Sequence, residues 1–142
     1  MTEQRLVLGG GSLLNQVGRE LTTAVERLLA PLGLTAQQAA VVLHASGKPV
    51  PPGRLAELVG TDTAGMTRLL DRLADKDLIR RTRHPDDRRS LLVELTDAGR
   101  ALVPRLPPIF GRVTNQLFTG FTPAEIAEVT TLLERMHTNL TT

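Results

Sequence analysis

The chain has 142 residues, enough for a single domain, and its 41% apolar and 23% charged residues are those of a globular protein rather than a disordered or collagen-like one. There is no cysteine, which excludes disulfides, thiolate metal sites and thiol redox switches, and three Phe with no Trp or Tyr leave little to stack on single-stranded nucleic acid. The formal net charge is +2, no apolar run approaches the roughly 20 residues that span a bilayer, and the apolar stretch Leu6 to Leu8 is too short for a secretory leader, so the expectation is a cytoplasmic protein with no membrane partner.

In chain order, Gly9, Gly10 and Gly11 read as a hinge before Ser12, a good N-cap. Leu14, Val17, Leu21, Val25 and Leu28 then recur at helical spacing until Pro31 and Gly33. Thr35 with Gln38 forms a capping box that opens a second helix through Ala39, Val42 and Leu43, ending near Gly47. Pro49, Pro51 and Pro52 mark an extended link, with Pro52 near the first position of a third helix. Leu55, Leu58 and Val59 give that helix its buried face, and Gly60 ends it.

Thr61 and Asp62 are capping candidates for a fourth helix, whose apolar stripe is Met66, Leu69, Leu70 and Leu73. Its polar side carries Thr63, Thr67, Arg68, Asp71, Arg72 and Asp75. Two helices joined by a short turn, the second polar and Arg-bearing at its start, make a helix-turn-helix pattern. Two strand candidates follow, 78–83 and 90–95, joined by the turn residues Pro85, Asp86 and Asp87. They predict a β-hairpin with arginine at its tip, and the order helix-turn-helix then hairpin is that of a winged helix.

Beyond Thr96 and Asp97, a long helical pattern runs through Leu102, Leu106, Ile109, Val113 and Leu117. Pro104, Pro107 and Pro108 interrupt it and predict a kink or a break, since an interior proline costs roughly 3 kcal/mol. Thr122, Pro123 and Glu125 open a last helix. Ile126, Val129, Leu133, Met136 and Leu140 step along it by 3 and 4 like a coiled-coil seam. A winged helix needs only about half of such a chain. The seams of the first helix (Leu14, Val17, Leu21) and the last are therefore expected to hold a homodimer together, the alternative being packing onto their own domain. The expected division is 1–34 for an N-terminal arm and dimerisation helix, 35–100 for a DNA-binding lobe, and 101–142 for C-terminal dimerisation helices.

The charge distribution supports the same view. Residues 48–105 hold twelve of the seventeen basic residues, and five arginines fall between 80 and 89. A localised basic stripe suggests an anionic partner, although nine acidic residues share the region and a solvated charged face is the plainer reading. Catalytic and metal chemistry find little support. His44, His84 and His137 have no second histidine at ligand spacing, and the glycine run lacks the features of a phosphate loop. No metal, cofactor or enzymatic activity is expected.

The sequence resembles the MarR family of bacterial transcriptional regulators. The resemblance is carried by Thr67-Arg68-Leu69-Leu70-Asp71-Arg72-Leu73 and by Asp87-Arg88-Arg89-Ser90-Leu91-Leu92-Val93-Glu94-Leu95-Thr96, which fits the family's wing signature of Asp-x-Arg, five residues, Leu-Thr. It spans most of residues 12–140. It implies six helices and one hairpin, a homodimer with intertwined first and last helices, and a palindromic double-stranded operator as partner, usually repressed. A small effector between the dimerisation helices and the DNA-binding lobe is also implied. The three prolines depart from the family's long unbroken fifth helix.

In that frame the N-terminal half of the fourth helix enters the major groove, with Thr63, Thr67, Arg68 and Arg72 facing DNA. Gly65 would leave the backbone bare for a phosphate or base edge, or be merely tolerated. Arg72 has a rival role as an ion-pair partner of Asp71 or Asp75. The resemblance assigns Arg89 to the minor groove, oriented by Asp87; Arg88 is expected on phosphate. Arg83 joins the wing's DNA-contacting group, whereas Arg81 could pair with Asp77. Effector contacts would come from residues such as Asn15, Arg19, His44 and Phe110, although His44 on a mostly apolar helix reads more readily as a core histidine. The alternative function is a protein-interaction winged helix or a regulator without effector response.

Overall fold

A computed structural model describes residues 12–142; the glycine hinge at 9–11 lies outside them. In the described residues the order is α1 (Leu13–Leu29), a 3-10 turn (Ala30–Leu32), α2 (Ala36–His44), α3 (Pro52–Val59), α4 (Thr63–Asp75), β1 (Ile79–Arg83), β2 (Leu91–Leu95), α5 (Asp97–Leu102), a second 3-10 turn (Val103–Arg105), α6 (Leu106–Leu117) and α7 (Pro123–Thr141). This is the mainly helical winged-helix fold that the sequence predicts.

The helix starts are set by side chains that satisfy free backbone N–H groups. Ser12 accepts the Asn15 N–H at 3.2 Å, and Asp62 accepts the Gly65 N–H at 2.7 Å. Thr35 with Gln38 and Thr122 with Glu125 both close reciprocal capping boxes. Gly60 ends α3 in the left-handed conformation (φ 79°), where a side chain would be strained.

One core unites these elements. Met66, Leu69, Leu70 and Leu73 of α4 are all buried, as are Leu55 of α3, Val41 and Val42 of α2, and Leu106 of α6. Each fully buried Leu contributes about 1.5–3 kcal/mol. Leu58, expected inside, is 39% exposed: only Leu55 of its helix is fully enclosed, and Val59 is half-buried. α2 stops at His44, short of the expected Gly47.

The strands pair antiparallel, Ile79 opposite Leu95 through Arg83 opposite Leu91. Val50 adds an antiparallel bridge on the other edge of β2, exchanging hydrogen bonds of 2.9 and 2.8 Å with Val93. Pro49 and Pro51 on either side lack an N–H, which confines that pairing to a single residue. The hairpin leads into α5 through a tight corner. Thr96 donates its N–H to the Leu78 carbonyl at 3.1 Å and its hydroxyl to the Asp77 carbonyl at 2.6 Å.

The fifth helical pattern is divided in two, as its prolines predict. Pro104 lies in the 3-10 turn and Pro107 in the first turn of α6, so the described residues contain seven α-helices and not six. Pro107 is tolerated there because its missing N–H would have had no intrahelical partner. α6 then packs on α1, whereas α7 buries none of its residues.

Candidate nucleic-acid interface

The candidate interface grows from two local structures, the start of α4 and the hairpin loop. The Asp62 cap fixes the first turn of α4 and leaves Thr63, Thr67, Arg68 and Arg72 exposed. Thr67 donates its hydroxyl to the Thr63 carbonyl at 3.0 Å. Gly65 has a steric reason of its own: a Cβ there would overlap the Thr61 hydroxyl and lie 3.1 Å from the Asp62 carboxylate. A larger residue at this position requires the Thr61 side chain to turn away.

Beside this turn, Gln37, Thr61, Gly65, Arg68, Leu69 and Arg72 enclose a hollow of about 190 Å³ between α2 and α4. Gln37 was not singled out by sequence, and Thr61 only as a capping candidate; the proximity of Gln37 to the arginines depends on how α2 crosses α4. The hollow offers two guanidinium groups, a side-chain amide and a hydroxyl, a donor set suited to a phosphate oxygen or a base edge.

The hairpin loop is held by a small network. His84 donates its N–H to the Ser90 carbonyl at 2.8 Å, and Asp86 donates its N–H to His84 Nδ1 at 3.0 Å. Asp87 Oδ1 accepts the Arg89 N–H and Oδ2 the Ser90 hydroxyl, both at 3.0 Å. These bonds, the first the larger, hold the Asp87 carboxyl below its ordinary value, helped by the potential of His84. Arg83 Nη1 donates to the Arg88 carbonyl, closing the loop from the strand side. Asp87 therefore fixes the main chain at Arg89, whereas the sequence suggested that it would orient the Arg89 side chain.

The arginines of residues 35–100 divide cleanly. Arg54 pairs with Glu57, Arg80 with Glu94, Arg81 with Asp71 and Arg100 with Asp97, at 2.8–3.2 Å. Arg68, Arg72, Arg83, Arg88 and Arg89 have no carboxylate partner among the described residues, and all five are exposed. Every unpaired arginine of that stretch thus lies on α4 or in the hairpin. Two expectations are corrected. Arg81 takes Asp71 and not Asp77, and with Asp71 occupied Arg72 pairs with neither Asp71 nor Asp75.

The candidate effector residues are not gathered in one place. Asn15 and Arg19 share a shallow hollow on α1 with Leu14, Gly18, Thr22 and Thr23, to which neither His44 nor Phe110 contributes. His44 is exposed at the end of α2, so it is not a core histidine, and Phe110 packs partly buried against the core. A separate cavity of about 430 Å³ is an open groove between α1 and α6 lined mainly by apolar side chains, including Val17, Leu21, Val113 and Leu117. Of the expected dimerisation residues, Leu14, Val17, Leu21, Leu133, Met136 and Leu140 are 37–86% exposed, and Ile126 and Val129 are half-buried. Among the described residues there is no cluster of three or more His, Cys, Asp or Glu fit for a metal, and no helix is long and apolar enough to cross a membrane.

α3, the turn at Gly60, α4 and the hairpin behind them define a winged helix-turn-helix protein. Residues 37–91 match the MarR family. The chain is 30% identical over 128 residues to the multiple antibiotic resistance protein MarR of Escherichia coli K12, with 89% of each covered. It therefore belongs to the MarR family of DNA-binding transcriptional regulators, whose members are regulators and not enzymes. Solved structures agree. A cysteine-to-serine mutant of Escherichia coli MarR in complex with operator DNA superposes with a TM-score of 0.82 at 28% identity, covering 94% of this chain and 96% of that one. BpsR of Bordetella bronchiseptica, whose DNA binding is regulated by 6-hydroxynicotinic acid, superposes with a TM-score of 0.81 at 28% identity, covering 93% and 94%.

Proposed function

We propose that this chain is a homodimeric, sequence-specific repressor that binds a palindromic operator in double-stranded DNA and is released by a small-molecule effector, in the cytoplasm. The observation that carries the DNA reading is the placement of the unpaired arginines of residues 35–100 on α4 and the hairpin alone. A protein-interaction module has no need of uncompensated charge at a wing tip.

In this reading Thr63, Thr67, Arg68 and Arg72 face the major groove, with Gly65 shaping the turn that presents them. Gln37 and Thr61 complete the hollow at the flank of the helix. Arg89 enters the minor groove, Arg88 meets phosphate, and Arg83 and Asp87 hold the loop in shape. The relative bound to operator DNA supports duplex DNA as the partner.

The dimer reading rests on apolar surface left open. The seam Leu133, Met136 and Leu140 on α7 and the groove edge Val17 and Leu21 on α1 are exposed in the single chain. A second copy laying α7 along the α1–α6 groove would cover both. The division into an arm and first helix (1–34), a DNA-binding lobe (35–100) and C-terminal helices (101–142) follows from these two jobs. Effector release is supported by the relative regulated by 6-hydroxynicotinic acid, with Asn15, Arg19, His44 and Phe110 as candidate contacts.

Selection of bound duplexes from randomised DNA tests the reading. The protein should return a palindrome whose half-sites lie about one helical turn apart. Recovery of no enriched sequence, or of a single unrepeated half-site, would count against it.

A further inference from the structure

Lys76 lies at the end of α4 and is one of only two lysines in a chain with fifteen arginines. Its Nζ donates to the Gly33 carbonyl and, at 2.9 Å, to Gln38 Oε1. Gly33 ends the 3-10 turn that continues α1, in the left-handed conformation (φ 71°). Gln38 is 3% exposed, and the same Oε1 accepts the Thr35 N–H at 3.1 Å. The two acceptor sites of that oxygen are therefore both taken, one by the start of α2 and one by the end of α4. Glu26 of α1 joins the corner from the other side, accepting the Ala36 N–H at 3.1 Å.

One ammonium thus meets the carbonyl that ends the 3-10 turn, where the partial negative charge of a helical C-terminus favours a cation, and the capping amide at the start of α2. A lysine suits the task because a compact nitrogen with three donors can serve two converging acceptors. Apart from the Arg81–Asp71 pair to β1, this contact differs in kind from the rest of the α4 packing. Met66, Leu70 and Leu73 hold the helix by apolar burial, which is non-directional and tolerates small rotations. The Lys76 bonds are directional, and they run to the corner where α1 turns into α2.

We infer that Lys76 is a positioning residue that fixes the rotation of α4 against the end of α1 and thereby sets the half-site spacing the dimer accepts. The inference rests on the operator-binding reading above, in which α1 belongs to the dimer frame and α4 reads the half-site. Movement of the α1 end by a ligand would reach α4 through this bond.

The test uses the full-length protein and the palindromic duplex it selects, together with duplexes whose half-sites are one base pair closer or farther apart. Wild-type protein should prefer its own spacing by about tenfold or more, and Lys76→Met should reduce that preference to about threefold or less. The salt dependence of binding should not change in Lys76→Met, because Lys76 is assigned no phosphate. An unchanged spacing preference would overturn the inference, as would a salt slope lowered by about one, which marks a direct phosphate contact. Should Lys76→Met fail to fold, the wild-type protein decides. By nuclear magnetic resonance the Lys76 ammonium should be far more ordered than that of Lys48, and equal mobility would refute the bond. Failure of the wild-type protein to bind any palindrome strikes the operator reading instead, which keeps the two failures apart.

Discussion

Asp87 holds Arg89 by the main chain: its Oδ1 accepts the Arg89 N–H at 3.0 Å, while Oδ2 accepts the Ser90 hydroxyl. The Arg89 guanidinium is left exposed and without a carboxylate among the described residues. Fixing the backbone and freeing the side chain separates two roles that a side-chain ion pair would merge. Arg89→Ala should weaken operator binding by about 1–3 kcal/mol, more on A·T-rich than on G·C-rich flanks, and leave the melting temperature almost unmoved. Asp87→Ala should instead disorder the loop. Anisotropy titrations on both flank types, with thermal melts beside them, check this; Arg89→Ala lowering the melting temperature and affecting every sequence alike would assign the pair a stapling role only.

The same carboxylate sets a pH window for the wing. Its folded value lies below the ordinary 3.8, because the Arg89 N–H and then the Ser90 hydroxyl favour the charged form. A depressed carboxylate contributes order that is present above the unfolded value and is lost as pH falls through the folded one. The Arg89 amide resonance should therefore hold its position from neutral pH down to about pH 4 and move only below it. Movement between pH 7 and 5 would contradict the network.

Gly99 is buried where α5 begins, and a Cβ at that position would overlap the Leu78 carbonyl, a backbone atom that already accepts the Thr96 N–H. Nothing flexible can yield there. Gly99→Ala should destabilise the protein by about 1–3 kcal/mol, the range for overpacking a filled site. Chemical denaturation measures it, and a variant as stable as wild type would show that the corner opens more easily than its hydrogen bonds suggest.

Leu133 is 45% exposed on α7, a helix that buries no residue of its own chain. If a second copy covers that seam, Leu133→Asp places a charge in an apolar interface. It should yield monomers by sedimentation and lose operator affinity, since the half-sites are then held by separate molecules. A variant that stays fully dimeric would remove the seam from the interface.

What the sequence conveyed depended on distance along the chain. Caps and stripes act over three to eight residues, so Ser12, the Thr35–Gln38 box and the buried face of α4 were all legible. The proline break was legible as a disruption, but a pattern of residue types does not distinguish a kink from a 3-10 turn. Leu58 was misread because periodicity gives a helix face and not how much of it is covered. Val50 was hidden by its prolines, which mask the single residue able to pair. At the candidate interface the arginines were visible, but not which were neutralised. Arg81 finds Asp71 across two elements, and Arg72 pairs with neither Asp71 nor Asp75. Lys76 lies 43 positions from Gly33 and 38 from Gln38, beyond the reach of any local pattern.

The most direct test of the central claim is an anisotropy titration of the wild-type protein against its selected palindrome and a scrambled duplex of equal composition, at two salt concentrations. Binding should favour the palindrome by about a thousandfold or more and saturate at two chains per duplex. Affinity for both duplexes should fall steeply with salt. Equal affinity for the two duplexes, or binding indifferent to salt, would contradict the assignment of α4 and the wing to DNA recognition.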